Sequence, residues 1–411
     1  MVQAKMISRR DFLKGTALLA AQVAAGNLLT GCAQFLSAEE LPAASLAPSS
    51  APTTAPNTAA APASTPTASP TVSTALWREV KYYEQLANGI VRCAQCPRRC
   101  TIAQASRGFC QTRENRDGKL YSVVYGRPCI ARIVPIERAP IYHMLPGTQS
   151  YSLATAGCNL ACLYCQNYAI ARAKPEEVES YTLTPEQVVA EAVKGKCKSI
   201  TFSYSENTVA FEYMMEIAAL ARARGLKTIL KTGGYVNTEP LKEMCAGLDA
   251  INVDLKGFSE QFYEQVCQGE LKYVLETIQA IYAEKKAWLE IANLVVPGYN
   301  DDAKTIGAML TWFKENLGTD VPLYFTRFEP AYRLRMPPTP VEIIEKARQG
   351  ALNAGLRYVY VGNVPVHAGQ HTYCPRCGKI LIERVGFEVK QNNIVKGKCK
   401  FCGEPIVGQW T

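Results

Sequence analysis

From residue 151 onward, short runs of apolar and β-branched residues alternate with longer stretches whose apolar positions recur at helical spacing. Seven runs are predicted to be strands: residues 151–156, 199–205, 227–232, 250–256, 289–296, 323–328 and 357–362. A helix is predicted to begin at Thr184, because threonine is a good N-cap and Pro185 suits the first helical position. Another covers residues 208–225 and ends at Gly225. Repeated strand–helix units predict an α/β domain with a parallel sheet, in which functional residues follow the carboxyl ends of the strands.

The pattern is different before residue 77. Residues 38–76 consist almost entirely of Ala, Pro, Ser and Thr, which cannot bury a core, so we predict a disordered and extended linker. Residues 1–37 contain the sequence SRRDFLK, which looks like a twin-arginine export signal, followed by an apolar stretch too short to span a bilayer. The sequence LTGC then resembles a lipobox in which Cys32 is lipidated.

These signals predict export by the twin-arginine route and anchoring as a lipoprotein at the outer face of the cytoplasmic membrane. Two acyl chains on Cys32 would hold the protein on the membrane far better than one chain. The alternative is an uncleaved amphipathic helix on a cytoplasmic protein.

Composition narrows the classes of function. The chain has 411 residues, with 45 Lys and Arg against 36 Asp and Glu, so the net charge is +9. No dense basic run with interleaved aromatic residues occurs, so the sequence does not favour a nucleic-acid partner. Sixteen cysteines stand against only three histidines. Metal sites would therefore depend on sulfur, which indicates zinc or iron–sulfur clusters in preference to a disulfide framework.

Three cysteines follow the first predicted strand at the spacing C-x3-C-x2-C: Cys158, Cys162 and Cys165. A 4Fe–4S cluster has four irons, so three thiolates would leave one iron free to bind a small molecule. The alternatives are a zinc site, or an electron-transfer cluster with a fourth ligand elsewhere in the chain.

Two further cysteine sets flank this triplet. The first set comprises Cys93, Cys96, Cys100 and Cys110. It fits a closed metal site that holds either zinc or a second iron–sulfur cluster. The second has two C-x2-C-G knuckles typical of a zinc-ribbon or rubredoxin-like module holding zinc or iron, and comprises Cys374, Cys377, Cys399 and Cys402.

The triplet also resembles the radical S-adenosylmethionine (SAM) signature, C-x3-C-x-aromatic-C, with Tyr164 as the aromatic residue and Asn167 in the flanking sequence CQN. From residue 82 to 411 the chain resembles radical SAM enzymes related to pyruvate formate-lyase activating enzyme, in particular those of the AmmeMemoRadiSam system. The segments that match are YYEQLANGIVRCAQCPRRCTI, GFCQTRENRDGKLYSVVYG, PIYHMLPG, GCNLACLYCQN, DLKGF, VVPGYND, PPTP and YVYVGNV.

This resemblance implies a partial (β/α)6 barrel and a 4Fe–4S cluster whose open iron binds SAM. It implies reductive cleavage of SAM to a 5′-deoxyadenosyl radical, which abstracts a hydrogen atom from an unidentified small-molecule or protein substrate, and a low-potential electron donor. One alternative is activation of a glycyl-radical enzyme. Another is a lipid-anchored iron–sulfur redox protein without SAM chemistry.

The resemblance also implies positions that bind SAM or substrate. Glu206 stands where related enzymes use an acidic residue for the SAM amino group, and Asn207 replaces a family proline. The backbone at Gly233 and Gly234 would approach the ligand closely. The remaining positions carried over are Asp254 and Lys256, for which an ion pair along the strand end is the alternative, together with Tyr164 and Asn167.

Other polar and sulfur residues are less informative. Asn293 and Arg327 lie late in strands, while Tyr324 stands where the family often has histidine. His143 is as compatible with packing as with function, and His367 and His371 precede the C-terminal cysteine set. The single cysteines are predicted to be buried core thiols: Cys129, Cys197, Cys245 and Cys267.

The predicted organisation has five parts. A signal with lipobox covers residues 1–37 and a linker covers 38–76. An N-terminal Cys-rich module covers 77–150, the radical SAM barrel 151–365 and the four-Cys ribbon 366–411.

Overall fold

The computed structural model describes residues 77–410. The predicted export signal, the lipidation site at Cys32 and the Ala/Pro-rich linker lie outside those residues. Among residues 77–410, no helix combines the length and the apolar character that crossing a bilayer requires.

Two small antiparallel sheets come first in this part of the chain. One has the order β1–β6–β5 and the other β2–β3–β4. Their strands are β1 Arg78–Glu79, β2 Tyr83–Gln85, β3 Val91–Cys93, β4 Thr101–Ile102, β5 Arg113–Arg116 and β6 Lys119–Ser122.

A sheet of eight strands forms the centre of the fold. The strands are β7 Ile130–Pro135, β8 Gln149–Ala154, β9 Ser199–Phe202, β10 Lys227–Thr232, β11 Ala250–Asp254, β12 Trp288–Val295, β13 Leu323–Arg327 and β14 Val359–Gly362. Strands β8 to β14 pair in chain order and are all parallel, and β7 is an antiparallel edge strand paired with β8. Each of the seven predicted runs overlaps one of the strands β8 to β14, so the parallel α/β sheet is confirmed.

Helices connect the parallel strands. They are α1 Tyr168–Ala171, α2 Pro185–Lys194, α3 Phe211–Ala223, α4 Thr238–Gly247, α5 Glu260–Phe262, α6 Leu271–Glu284, α7 Ala303–Leu317 and α8 Val341–Asn353. A π-helical turn at Tyr263–Cys267 continues α5. Thr184 caps α2 as predicted, because its side chain accepts a hydrogen bond from the Gln187 backbone N–H.

The two faces of the central sheet are covered differently. Alternate strand residues such as Phe202, Ile251 and Phe325 pack against the helices in the main hydrophobic core. On the opposite face, Tyr324 and Tyr360 pack against the C-terminal module. That module contains β15 Thr372–Tyr373, β16 Ile380–Val385, β17 Glu388–Asn392, β18 Ile394–Val395 and β19 Lys398–Cys399.

Buried polar contacts join the C-terminal module to the sheet. The guanidinium of Arg384, fully buried, donates to the backbone oxygen of Tyr142 over 2.9 Å. The ring of His143 hydrogen-bonds the Val407 carbonyl over 2.7 Å and the Tyr360 hydroxyl over 2.6 Å. Burial lowers the pKa of His143 to about 3, so this histidine is neutral and holds the packing together.

Candidate functional site

The loop between β8 and α1 carries Cys158, Cys162 and Cys165. Two backbone hydrogen bonds fasten it to the π-helical turn: the Ala161 N–H donates to the Cys267 carbonyl over 2.8 Å, and the Leu163 N–H donates to the Val266 carbonyl over 2.9 Å. The loop is therefore held on both sides, since it also continues directly from β8. Such anchoring suits thiols that must be presented at fixed positions.

The electrostatics of the three thiols are linked. Burial raises the pKa of Cys158, and the neighbouring carboxylate of Glu206 raises it further. A hydrogen bond from Cys267 and the ammonium of Lys256 act in the opposite direction and lower the pKa of Cys162. Binding a positively charged metal centre would release the protons from all three thiols.

The spacing of the sulfurs differs between the triplet and the C-terminal set. Within residues 77–410, only the C-terminal set brings three or more ligand atoms within 4.8 Å of one another. A zinc ion needs sulfurs about 3.8 Å apart, because Zn–S bonds are about 2.3 Å long and tetrahedral. The sulfurs of Cys158, Cys162 and Cys165 do not converge in this way.

Glu206 lies beyond the carboxyl end of β9, in the loop that leads to α3. Its carboxylate is buried and accepts hydrogen bonds from the Thr232 hydroxyl at 2.9 and 3.0 Å and from the Gly233 N–H at 2.7 Å. Burial raises the pKa of Glu206 even though these donors oppose the shift. The structure thus places an acidic group beside Cys158, braced by the loop that follows β10.

The loop after β10 passes close to the cysteine loop. A Cβ added at Gly233 would lie 2.9 Å from a methyl carbon of Leu160 and 3.4 Å from the Glu206 carboxylate. Gly234 has φ of +71°, a conformation that favours glycine. The sequence KTGGY therefore allows backbone to lie where side chains would collide.

A partly buried charge cluster lies at the end of the next strand. Asp254, the last residue of β11, contacts the ammonium of Lys231 at 2.5 Å and that of Lys256 at 2.7 Å. Burial alone would raise the pKa of Asp254, but the two ammonium groups outweigh it and lower that pKa to about 2. The ion pair considered from the sequence is present, and it lies beside Cys162, because the charge of Lys256 acts on that thiol.

The flanking signature residues brace the loop from behind. Tyr164 is buried, and its hydroxyl lies 3.6 Å from the sulfur of Cys267. The Asn167 side chain donates to the Tyr204 carbonyl over 2.7 Å. Asn207, which replaces the family proline, donates to the Ser203 carbonyl over 2.9 Å and so holds the loop before α3.

Other residues noted in the sequence are engaged elsewhere. The Asn293 amide donates to the Leu255 carbonyl over 2.8 Å, and the Arg327 guanidinium donates to the Thr339 carbonyl over 2.9 Å. Tyr324 lies near the amino end of β13 and hydrogen-bonds Glu290 within the packing against the C-terminal module. Tyr324 therefore does not lie with the cysteine triplet, which follows the carboxyl end of its strand.

The C-terminal set forms a compact tetrahedral arrangement. The four sulfurs lie within 4.8 Å of one another, with Cys374 and Cys402 sulfurs 3.6 Å apart and Cys377 and Cys399 sulfurs 3.8 Å apart. These distances match the edge of about 3.8 Å expected for one tetrahedral ion. The nearby histidines play other parts: His367 accepts from the Gly369 N–H over 2.9 Å, and His371 accepts from the Arg384 N–H over 3.1 Å.

The sequence did not predict one member of the charge cluster, Lys231, or the contact that Cys267 makes with the triplet. Lys231 was not singled out, although a lysine within the apolar strand KTILKT is a usable signal. Cys267 is a buried thiol as predicted, like Cys197 and Cys245, but it also contacts the site through Cys162 and Tyr164. The local sequence around Cys267 gives no sign of this contact. The contact depends on the π-helical turn, which is hydrogen-bonded to the cysteine loop.

Comparisons with known proteins agree with this geometry. The family described as the radical SAM superfamily matches residues 152–308. Over 332 residues the chain is 44% identical to the uncharacterized protein MJ0808 of Methanocaldococcus jannaschii, which covers 80% of this chain and 98% of that protein. Over 199 residues it is 24% identical to the pyruvate formate-lyase-activating enzyme of Streptococcus mutans serotype c, which covers 45% of this chain and 75% of that enzyme.

Solved structures include similar chains. A radical SAM methyltransferase from Sphaerobacter thermophilus aligns over 72% of this chain and 81% of its own, with a TM-score of 0.43 and 13% identity. The cysteine loop lies at the end of β8, inside the family match over residues 152–308. The identity to the Streptococcus mutans enzyme supports the same family. The chain belongs to the radical SAM superfamily and is a radical SAM enzyme related to pyruvate formate-lyase activating enzyme.

Proposed function

We propose that this enzyme binds a 4Fe–4S cluster through Cys158, Cys162 and Cys165, binds SAM at the remaining iron, and activates an unidentified substrate by hydrogen-atom abstraction. The observation that carries the proposal is convergence: the cysteine loop, Glu206, Gly233 and the Asp254–Lys256 pair all follow the carboxyl ends of four neighbouring parallel strands. In an α/β sheet of this kind, ligands bind at that edge. We also propose that six of the seven parallel strands β8 to β14 form the partial (β/α)6 barrel that the family resemblance implies.

When bound, the cluster and SAM supply the electron and the 5′-deoxyadenosyl radical. The chain's own residues position and shield them. Glu206 holds a carboxylate where the SAM amino group would bind, already oriented by the Thr232 hydroxyl and the Gly233 N–H. Gly233 and Gly234 leave room for backbone to approach the ligand.

The charge cluster of Asp254 with Lys231 and Lys256 has a separate role. One carboxylate between two ammonium groups leaves a net positive charge beside Cys162. This charge favours the thiolate form of Cys162 and offsets the negative charge of a ligated cluster. The salt bridge to Asp254 also fixes the Lys256 side chain, so little conformational entropy would be lost if its ammonium approached a bound cluster.

SAM cleavage tests the proposal directly. Anaerobically reconstituted protein, given SAM and a strong reductant, should release 5′-deoxyadenosine, and Cys162→Ala should abolish the release. The matched control is Cys197→Ala, because Cys197 is a buried thiol outside the cysteine sets. Wild-type protein with an intact cluster that releases no 5′-deoxyadenosine would refute the function.

A second candidate is activation of a glycyl-radical enzyme. The 24% identity to the Streptococcus mutans activating enzyme favours it. In this case the hydrogen atom would come from a glycine of a partner protein. Incubation with a glycyl-radical enzyme and SAM should then produce a glycyl radical detectable by electron paramagnetic resonance (EPR), whereas a small-molecule substrate would leave that partner unchanged.

We further propose that the chain is exported and anchored through Cys32. The sequence SRRDFLK and the following LTGC support this proposal. Metabolic labelling with a radioactive fatty acid should mark the wild-type protein and leave Cys32→Ala unmarked. Recovery of unlabelled full-length protein from the cytoplasm would refute it.

A further inference from the structure

The four cysteines near the beginning of the described chain line one cavity. It is partly open to solvent, and its enclosed space is small, about 20 Å³. The sulfur-bearing residues of its wall are Cys93, Cys96, Cys100 and Cys110, and the same wall includes Gln95, Arg98, Arg113 and Asn159. Four thiols around one cavity indicate a metal centre. Whether it holds a single ion or a cluster depends on the geometry and charge of the site.

The sulfur spacing does not fit a single zinc ion. Within residues 77–410, only the C-terminal set brings three or more ligand atoms within 4.8 Å, so no three sulfurs of the N-terminal set converge in this way. The contrast is internal to the protein, because the C-terminal set has sulfur pairs at 3.6 and 3.8 Å. A cubane needs its thiolates farther apart, since each one binds a different iron.

Three of the residues that line the cavity carry unpaired polar atoms. Arg113 is only 2% exposed; one of its nitrogens pairs with Glu212, while its Nε and Nη2 have no partner. Both amide atoms of buried Gln95 and the Oδ1 of buried Asn159 are also unpaired. Leaving buried donors unpaired costs about 1–3 kcal/mol each, so a native site normally supplies acceptors.

An iron–sulfur cluster would satisfy the three unpaired donors, which are Arg113 Nε, Arg113 Nη2 and Gln95 Nε2. The oxygens Gln95 Oε1 and Asn159 Oδ1 are acceptors, and a cluster does not satisfy them. Its bridging sulfides accept hydrogen bonds, and hydrogen bonds to the sulfurs are one of the means by which proteins tune a cluster. With four thiolates the cluster would be an anion. The guanidinium of Arg113 is already paired with Glu212, so it would offer the cluster hydrogen-bond donors and no uncompensated charge. A cavity lined by thiols, a buried cation and unpaired amides has the chemistry of such a centre.

The cavity also lies directly against the SAM-cluster loop. A Cβ added at Gly157 would lie 2.6 Å from the Cys110 carbonyl oxygen, and Gly157 immediately precedes Cys158. The Arg98 Nε donates to the Asn159 carbonyl over 2.5 Å, which ties the cavity wall to the residue that follows Cys158. The two cysteine sets are therefore separated by contacting backbone with no intervening layer.

We propose that Cys93, Cys96, Cys100 and Cys110 bind a second 4Fe–4S cluster, which passes single electrons to the cluster held by the Cys158 loop. An external low-potential one-electron donor, of the ferredoxin class, is oxidised as it reduces the second cluster by one electron. The second cluster returns to its oxidised state when that electron reduces the SAM-binding cluster. This relay rests on the proposed function, whereas the second cluster itself does not.

Inorganic sulfide provides the decisive count, because a mononuclear ion in the C-terminal set contributes none. Reconstituted wild-type protein should contain about eight sulfides per chain, since each cubane has about four. The triple variant Cys158→Ala, Cys162→Ala, Cys165→Ala should keep about half of them. The double variant Cys96→Ala, Cys100→Ala should also keep about half, and the control Cys197→Ala, Cys245→Ala should keep all of them.

Spectroscopy of the wild-type protein covers the case in which a variant does not fold. The EPR spectrum of the reduced protein should contain two cubane signals, only one of which changes when SAM is added. A wild-type sulfide content of about four, a single cubane signal, or zinc retained by the N-terminal set would overturn the second cluster.

The relay has its own test. With reduced ferredoxin as donor, the Cys96→Ala, Cys100→Ala variant should reduce its SAM-binding cluster at least about tenfold more slowly than the wild type does, measured by stopped-flow absorbance. Equal rates would overturn the relay while leaving the sulfide count to decide the cluster. Neither the sulfide content nor the rate of cluster reduction requires 5′-deoxyadenosine release. A failure of SAM cleavage can therefore be distinguished from a failure of the second cluster or of the relay.

Discussion

The contact between Gly157 and Cys110 can be tested by adding a single methyl group. Gly157 has φ of +96°, and an added Cβ would lie 2.3 Å from the Thr112 methyl carbon and 2.6 Å from the Cys110 carbonyl oxygen. Such distances are too short, so Gly157→Ala must push the Cys110 segment away from the SAM-cluster loop. The substitution therefore disturbs both cysteine sets without removing a ligand.

The magnitude follows from two contributions. A left-handed conformation costs a residue with a side chain about 1–2 kcal/mol. Overpacking a tight contact adds about 1–3 kcal/mol, which gives a total of about 2–5 kcal/mol for Gly157→Ala. Gly225→Ala is the matched control, because Gly225 has φ of +71° but nothing within 4 Å of its added Cβ.

Thermal unfolding under anaerobic conditions measures the difference. With roughly 2 °C of change in apparent Tm per kcal/mol for a chain of this size, Gly157→Ala should unfold about 2–6 °C below Gly225→Ala. Sulfide content should fall in Gly157→Ala and stay at the wild-type level in the control. Equal Tm values together with unchanged sulfide would refute the close approach of the two segments and the reasoning built on it.

Three further predictions concern individual groups. Cys267→Ala should keep the sulfide content within about 20% of the wild type and keep the SAM-sensitive EPR signal, because the proposed ligands are Cys158, Cys162 and Cys165; a wild-type signal that does not respond to SAM and becomes responsive in Cys267→Ala would make Cys267 the fourth ligand. Asp254→Asn should lower the free energy of unfolding at pH 7 by on the order of 2 kcal/mol, since the pKa of Asp254 lies near 2 against an ordinary 3.8, and the difference from wild type should shrink as pH falls from about 4 towards 2; a difference that persists at pH 2 in urea titrations would contradict the ion pair with Lys231. Cys377→Ser should lose one equivalent of metal while retaining sulfide, as mass spectrometry and sulfide assay would show; a loss of sulfide would mean that the C-terminal set holds a cluster.

The low pKa of Asp254 has a defined sign. Its carboxyl is harder to protonate in the folded protein than in the unfolded chain, so its stabilising contribution is complete above about pH 4. That contribution disappears as the pH falls through the folded-state pKa of about 2. Working pH values near neutrality therefore leave the Asp254 ion pairs intact.

Local patterns were sufficient for much of this protein. Strand propensity located β8 to β14, because buried parallel strands are nearly continuous apolar runs that stand out from helical periodicity. The spacing of Cys158, Cys162 and Cys165 indicated cluster chemistry, since a loop that must ligate one cluster keeps its thiols close in sequence. The C-x2-C-G knuckles at Cys374 and Cys399 also predicted a metal site, because each knuckle places two thiols close together in sequence.

Tertiary structure alone decided which separated residues meet. It brought Cys267 to the triplet and Lys231 to Asp254, moved Tyr324 and His143 into the packing of the C-terminal module, and placed Cys110 against Gly157. It also showed that, within residues 77–410, the sulfurs of the C-terminal set lie within 4.8 Å of one another and those of the N-terminal set do not. Residue spacing constrains neighbours along the chain, whereas contacts between distant segments depend on the packing of the whole sheet and its loops, which no local pattern encodes.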